Sequence, residues 1–563
     1  MGDSDASVRP PDGAGSGNGG LPPAGDGGVG TLLVDASLDG AAPAGDPQTC
    51  EEAAQQHSYV GCDYWPTVVA NNVWSIFDFA VVVANAGQST ANVAVTGPAS
   101  TSRTATVAPG QLAKIYLPWV SALKGADATN CGQSVPLASS VVAPASAYHL
   151  VSSVPVTVYQ FNALEYAGQG GPAGKSWSAC PGATVCTDPT APLFGQMAGC
   201  FSFSNDASLL LPSTAMTGNY VVTGHPGIVQ VDPTSGLTES AGGYVAITGT
   251  QNATSVKLKV SSGGQIAAGG GIPTAGPGGT LSFTLDAGDV VELLGPGGAD
   301  LSGSIVQASA PVQVVTGHPC IQVPPTEPRC DHTEESVFPA ETLGEDYVVV
   351  QPAGPAGAPV GHEVRIYGSV DGTTLTYDPA TPPGCPTTIN AGQVVECGTP
   401  PCPTTVDLTA PASDCGITSR DFEVKGDRPF AVGTFTLGAF VVDPNQIEGD
   451  PAQSLVTAVE QFRSKYVFLA PNDYPVNYVD VVARAATSFT LDGQAVRAAP
   501  QAVGTSGFSV YRVALGAGQQ GAHVLVASQP VGIQVVGYGA YTSYMYPGGL
   551  DLQPIAPPPP RIQ

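Results

Sequence analysis

Apolar and polar residues alternate along this chain in short runs that end at Gly, Pro, Asn or Asp. Four of the runs are nearly one phrase: "SSVPVTVYQFN" (152–162), "ASAPVQVVTGHP" (308–319), "GDRPFAVGTFT" (426–436) and "ASQPVGIQVVG" (527–537). In each, a proline precedes apolar residues two apart: Val156 and Val158, Val312 and Val314, Phe430 and Val432, Val531 and Ile533. A period of two predicts a strand with that side buried. Pro155, Pro311, Pro429 and Pro530 stand where these strands begin, and there a missing N–H lies outside the ladder.

The phrase has companions that recur in the same order. Alternating pairs of runs around a polar turn, which predict hairpins, occupy 79–97, 243–260, 362–379 and 478–493. Tight small-Gly-polar turns follow as "APGQ" (108–111), "DAGD" (286–289), "NAGQ" (390–393) and "GAGQ" (516–519). "LPSTAMTGNYVVTGHP" (211–226) matches "FPAETLGEDYVVVQP" (338–352), and "TAVEQFRSKYVFLAP" (457–471) keeps the tyrosine as Tyr466.

The pattern predicts an all-β chain of four imperfectly repeated antiparallel sandwich-like units, with Gly/Pro-rich turns and few or no helices. The units are placed at 50–167, 200–325, 326–443 and 444–548. A Gly/Pro/Cys-rich insertion fills 168–199. Residues 1–49 read as a disordered Gly/Asp/Pro-rich tether, and 549–563 as a Pro-rich tail. Within the tether, "DASLDGAAPAGD" (35–46) echoes a calcium loop, but Pro43 and the closing Asp46 make it an acidic linker.

Composition supports this picture and narrows function. The chain has 71 Gly and 53 Pro, which disfavours long helices. A net charge of −27 and the absence of any basic run exclude nucleic acid as a partner and disfavour anionic membrane surfaces. No apolar run approaches the ~20 residues of a membrane span.

Twelve cysteines lie in loop-like text without metal-site spacing, so disulfides and an oxidising compartment are expected. The local pairs are Cys180 with Cys186 and Cys320 with Cys330. Cys385, Cys397, Cys402 and Cys415 pair among themselves. The opening "MGDSDASVRPPDG" has no apolar core, so an export signal is expected upstream of this start. The composition is that of a GC-rich bacterium, and the tether is like that of a surface lipoprotein.

Motifs for chemistry are scarce. There is no HExxH, GxSxG elbow or phosphate loop. No catalytic residue, metal ligand or cofactor is assigned. His225 and His318 share "VVTGHP" but lack carboxylate or cysteine partners at ligand spacing, so both read as turn residues. Asn205 and Asp206 in "SNDAS" offer a cation or sugar-hydroxyl site, and the stronger reading is a turn cap. Tyr538, Tyr541, Tyr544, Tyr546, Tyr64 and Trp65 suit a glycan or protein surface, against which stands ordinary core packing.

"YVGCDYW" (59–65), "FAVVVANAG" (79–87), "FSFSNDASLLLP" (201–212), "YVVTGHP" (220–226) and "DLSGSIVQASAPVQVVTGH" (300–318) resemble the IgGFc-binding protein N-terminal domain family. The resemblance spans about 58–546 and is densest over 200–350. It implies a secreted or cell-surface protein without enzymatic activity, binding an extracellular glycan, mucin-like polymer or protein. Antibody Fc is not the expected ligand in a bacterial host. The alternatives are a secreted carbohydrate-active enzyme, which needs two carboxylates facing one cleft, and a structural envelope protein without a discrete ligand.

Overall fold

The computed structural model describes residues 29–31 and 46–562, except 128–134, 136, 179, 181–199, 232–237, 328–329, 399, 404, 408–414, 446, 517 and 519–520. Strands dominate it. The α-helices among the described residues are Cys50–Gln56, Ser121–Lys124 and Ala439–Val442. None is long and apolar enough to cross a membrane.

Most of the strands form pairs of antiparallel sheets. One sheet orders Asn219–Val221, Ile305–Ala308, Thr254–Lys259 and Thr280–Leu285. Its partner orders Asp331–Ser336, Val312–Ile321, Tyr244–Gly249 and Val290–Leu294. The next pair repeats the connectivity. Asp346–Val349, Phe422–Gly426, Thr373–Asp378 and Thr388–Ile389 make one sheet. Gln453–Leu455, Phe430–Phe435, His362–Gly368 and Val394–Glu396 make the other. At either end of the chain the two middle strands fuse. His149–Phe161 pairs first with Ala91–Gly97 and then with Phe79–Asn85. Ala522–Gly539 likewise pairs first with Phe489–Leu491 and then with Val476–Arg484.

This places the repeated phrase. Pro155, Pro311, Pro429 and Pro530 each lie where the chain leaves one sheet and enters its partner. A strand that switches sheets must bend, and the proline sits where neither ladder needs its N–H.

Burial differs between the two sheets of a pair. Outer strands alternate, as Ala91–Gly97 and Thr254–Lys259 do. Inner strands such as Phe79–Asn85, Tyr244–Gly249 and Phe430–Phe435 are buried along their whole length. One-sided burial, expected for the strand after each proline, is therefore too little. Its second face packs on neighbouring sheets.

Four short strands, Ala207–Leu209, Asp331–Ser336, Gln453–Leu455 and Thr542–Pro547, form the centre. Each touches two of the others, so the four close into a ring. The first three pair backward, with His149–Phe161, Val312–Ile321 and Phe430–Phe435. Ala207–Leu209, Asp331–Ser336 and Gln453–Leu455, the first strands inside the stretches that begin at 200, 326 and 444, thus each pair with a strand of the stretch before. The chain ends complete the closure. The Tyr59 amide donates to Leu550 O (3.2 Å) and the Leu552 amide to His57 O (2.8 Å). Asp46 pairs with Arg463 (2.6 Å) and Lys465 (3.0 Å).

Val29–Thr31 pairs with Gln111–Ala113. The tail lies on the 200–325 sheets, where the Ile562 amide donates to Gln307 Oε1 (2.6 Å). Of the calcium-loop echo, only Asp46 is among the described residues.

Disulfides join Cys50–Cys62, Cys180–Cys200, Cys320–Cys330, Cys385–Cys397 and Cys402–Cys415. The expected pairing of Cys180 with Cys186 is thus corrected. Cys180 and Cys200 meet in one buried cluster with Val73, Phe77 and Ala163, and sequence proximity carries no such information. Cys186 lies outside the described residues. The disulfides fit an oxidising, extracellular compartment.

Candidate functional site

Asp206 and Asn205 are buried, so neither offers itself to a ligand. The Asn205 Nδ2 donates to Ala163 O (2.9 Å) and Glu165 O (3.2 Å). The Asp206 Oδ1 accepts the amides of Ala207 (2.9 Å) and Met545 (3.2 Å). Its Oδ2 accepts those of Glu334 and Gln453, each at 3.0 Å. These four amides come one from each central strand. They occupy equivalent places: Ala207, Glu334, Gln453 and Met545 pair with Phe161, Gly317, Phe435 and Val536, each six residues past a phrase proline. One carboxylate therefore fastens four strand edges. The turn-cap reading covers only the bond to Ala207.

The carboxylates around this hub are interior. Burial holds Asp206, Asp331, Glu334 and Glu335 well above the ordinary carboxylate range, against the pull of the amides that bond Asp206. Glu334 Oε2 accepts Gln160 (3.1 Å) and Asn162 (2.6 Å) side-chain amides. These groups have at most 1% exposure, and no substrate reaches them.

The two histidines part company. His318 is fully enclosed, and burial pushes it down to about 3. His225 faces the neighbouring inner sheet. Glu363 and Arg365, two apart on His362–Gly368, share a face, and Glu396 is paired across from Arg365. The His225 Nε2 lies 3.1 and 3.2 Å from the Glu363 carboxylate oxygens, and donor atoms of His225, Glu363 and Glu396 all fall within 4.8 Å of one another. The Arg365 guanidinium bonds Asp300 (2.5 Å), Ser302 Oγ (3.1 Å) and the Gly224 carbonyl. Burial pushes the His225 imidazole down but Glu363 outweighs it, so its pKa is raised; burial and Glu363 push Glu396 up to about 7. The sequence reading missed Glu363 and Glu396, because nothing local in sequence joins them to His225.

Of the aromatic candidates, Tyr538, Tyr544, Tyr546 and Tyr64 are core residues at 0% exposure, as packing requires. Trp65 is buried and stacks on His149 at 4.1 Å. Tyr541 is partly exposed and meets the Phe440 ring edge-on at 6.0 Å. Phe440 and Val441 are 38% and 37% exposed, unusual for side chains of this kind among the described residues. The neighbouring Ala540 amide donates to Oη of the buried Tyr166 (2.9 Å), and Tyr166 makes a tilted contact with Phe201 at 5.1 Å, which continues to Phe203 at 5.4 Å. Tyr541 directly precedes the central strand Thr542–Pro547, which places the Phe440–Tyr541 pair at one end of the ring. Phe440 had no sequence signal, since "LGAFVVD" reads as one more apolar run.

The profile of the family described as IgGFc binding protein matches residues 206–537, more than half of the chain. The human IgGFc-binding protein is 27% identical over 352 residues, which is 60% of this chain and 6% of that protein's length. A solved tetra-tandem repeat from the extending region of a large adhesion protein covers 85% of this chain and 97% of its own. Its identity is 11% and its TM-score 0.08, from which no common fold follows.

Proposed function

Because the chain belongs to the IgGFc-binding protein family, we propose that it is a non-enzymatic extracellular binding protein, adhering through the loop surface around Phe440 and Tyr541 to a protein, glycan or mucin-like polymer. The observation that carries this reading is the exposure of the adjacent Phe440 and Val441, with the Tyr541 ring packed edge-on against Phe440. Aromatic side chains held by a rigid frame give contact area at low entropic cost, and their hydroxyls add direction. The enclosed carboxylates speak against the carbohydrate-active alternative, which calls for acids lining an open cleft. Binding of antibody Fc belongs to the name of the human relative, and the ligand proposed for this chain is another extracellular molecule.

The test is binding of the full, disulfide-bonded chain to arrays of glycans, mucins and extracellular proteins, IgG Fc among them. Phe440→Ala and Tyr541→Ala should each weaken binding at least about tenfold, as loss of an aromatic anchor does, with unfolding temperature unchanged. Hydrolysis of a polysaccharide panel, or binding that both variants retain in full, contradicts the proposal.

A further inference from the structure

The interface between the sheets of 200–325 and those of 326–443 holds a set of groups that the binding surface does not use. His225, Glu363 and Glu396 converge there, with Arg365 and Asp300 alongside. We propose that His225, Glu363 and Glu396 form a zinc site that joins these two parts of the chain.

Charge is the first argument. Arg365 and Asp300 neutralise each other through a 2.5 Å ion pair. That leaves the His225 imidazole, 3.1 Å from Glu363 Oε1, as the one close countercharge among the described residues for the two carboxylates Glu363 and Glu396. The nearest guanidinium atom, Arg365 Nε, lies 3.9 Å from Glu363 Oε1, beyond hydrogen-bonding reach. Glu363 Oε1 receives no hydrogen bond, although the residue is only 1% exposed. A buried carboxylate oxygen aimed at other ligands and left without a donor is costly unless a cation completes it.

The histidine is the second. Its Nδ1 lies 3.0 Å from the Pro226 carbonyl, which can only accept. Nδ1 therefore carries a proton, and Nε2 faces the Glu363 carboxylate at 3.1–3.2 Å. Without a metal Nε2 donates a proton to Glu363; a metal ion takes the place of that proton and receives the Nε2 lone pair. A histidine fixed by one nitrogen to a backbone carbonyl, with the other free for a metal, is the usual arrangement in zinc sites.

The donor set is the third. One imidazole and two carboxylates, within 4.8 Å of one another, are ligand types that zinc binds at about 2 Å. Glu396 is partly exposed, so water has access to the remaining position. The frame around Glu396 is covalently held. Cys397, the next residue, points into the core and is bonded to Cys385, and the Cys402 amide donates to Glu396 Oε1 (3.4 Å). The glutamates belong to one inner sheet and the histidine to the segment after Asn219–Val221, so the ion crosslinks two sandwiches.

The full chain, oxidised and stripped with a chelator, would be dialysed against zinc alone and the bound metal counted. One zinc per chain is expected, and it should raise the unfolding temperature by a few degrees through ligand linkage. Glu396→Gln, a substitution at a partly exposed position, should weaken zinc at least about tenfold and remove the thermal shift; His225→Gln should abolish binding. Asp63→Asn, at the surface His149 pair, should bind as the natural chain does. Near-ultraviolet circular dichroism checks that each variant is folded. No retained zinc, or zinc held equally by Glu396→Gln, overturns the site.

Discussion

The Tyr347 hydroxyl donates to the Phe430 carbonyl at 2.6 Å, across the point where the chain passes from one sheet to its partner. The same relation links Tyr64 to Val156 (2.6 Å), Tyr220 to Val312 (2.6 Å) and Tyr466 to Val531. In every case the acceptor directly follows the phrase proline. In three, the tyrosine oxygen also takes the amide three residues before it: Thr217, Gly344 and Arg463. A buried phenol thus pins each crossing to its own edge strand.

Tyr347→Phe should therefore leave the Phe430 carbonyl and the Gly344 amide buried and unpaired. The expected loss is about 1–3 kcal/mol, read from urea unfolding. Tyr220→Phe and Tyr466→Phe should behave alike. Stability unchanged in all three would show that the crossings hold without the pin.

Acidity should stabilise the chain over part of the neutral range. Burial pushes Glu292 up to about 8, and Glu165 and Asp480 to about 7. An acid with a raised folded pKa binds more protons folded than unfolded, so stability falls as pH rises through the folded value. Burial pushes His318, His332 and His362 down to about 3, and these oppose the trend, but only below about 6.5. The unfolding temperature should rise as the pH falls from about 8.5 to about 6.5. Glu292→Gln, which keeps the oxygen that accepts the Ala70 amide (2.8 Å), should flatten the rise. A midpoint that climbs with pH in this window would contradict the assignment.

Non-reducing peptide mapping should recover a Cys180–Cys200 link, together with Cys385–Cys397 and Cys402–Cys415. A Cys180–Cys186 peptide in the native chain would restore the pairing read from sequence proximity.

The outer strands and the proline phrase were legible because they answer to local rules. Alternation such as that of Ala91–Gly97 reports one wet face, and a proline marks a break in the ladder. Burial of both faces of Phe430–Phe435 was not legible, because it depends on which sheets are neighbours. Tyr64 escaped comparison because "YVGCDYW" lacks the proline that precedes Tyr220 and Tyr347. Asp206 has no acidic counterpart where the residues before Glu334, Gln453 and Met545 stand, namely Thr333, Ala452 and Tyr544. A repeat comparison therefore hides the hub. The His225 cluster forms only once two inner sheets meet.

Asp206 fastens the sheets of the chain into one scaffold that carries the Phe440–Tyr541 pair. Asp206→Asn tests it most directly, since an amide puts an NH2 group against two of the four backbone donors and should cost about 3 kcal/mol or more. Amide hydrogen exchange would be followed in 331–336, 453–455 and 542–547 of the variant. Faster exchange is expected in all three central strands together. Faster exchange confined to 205–209, with the other strands as protected as before, would contradict it.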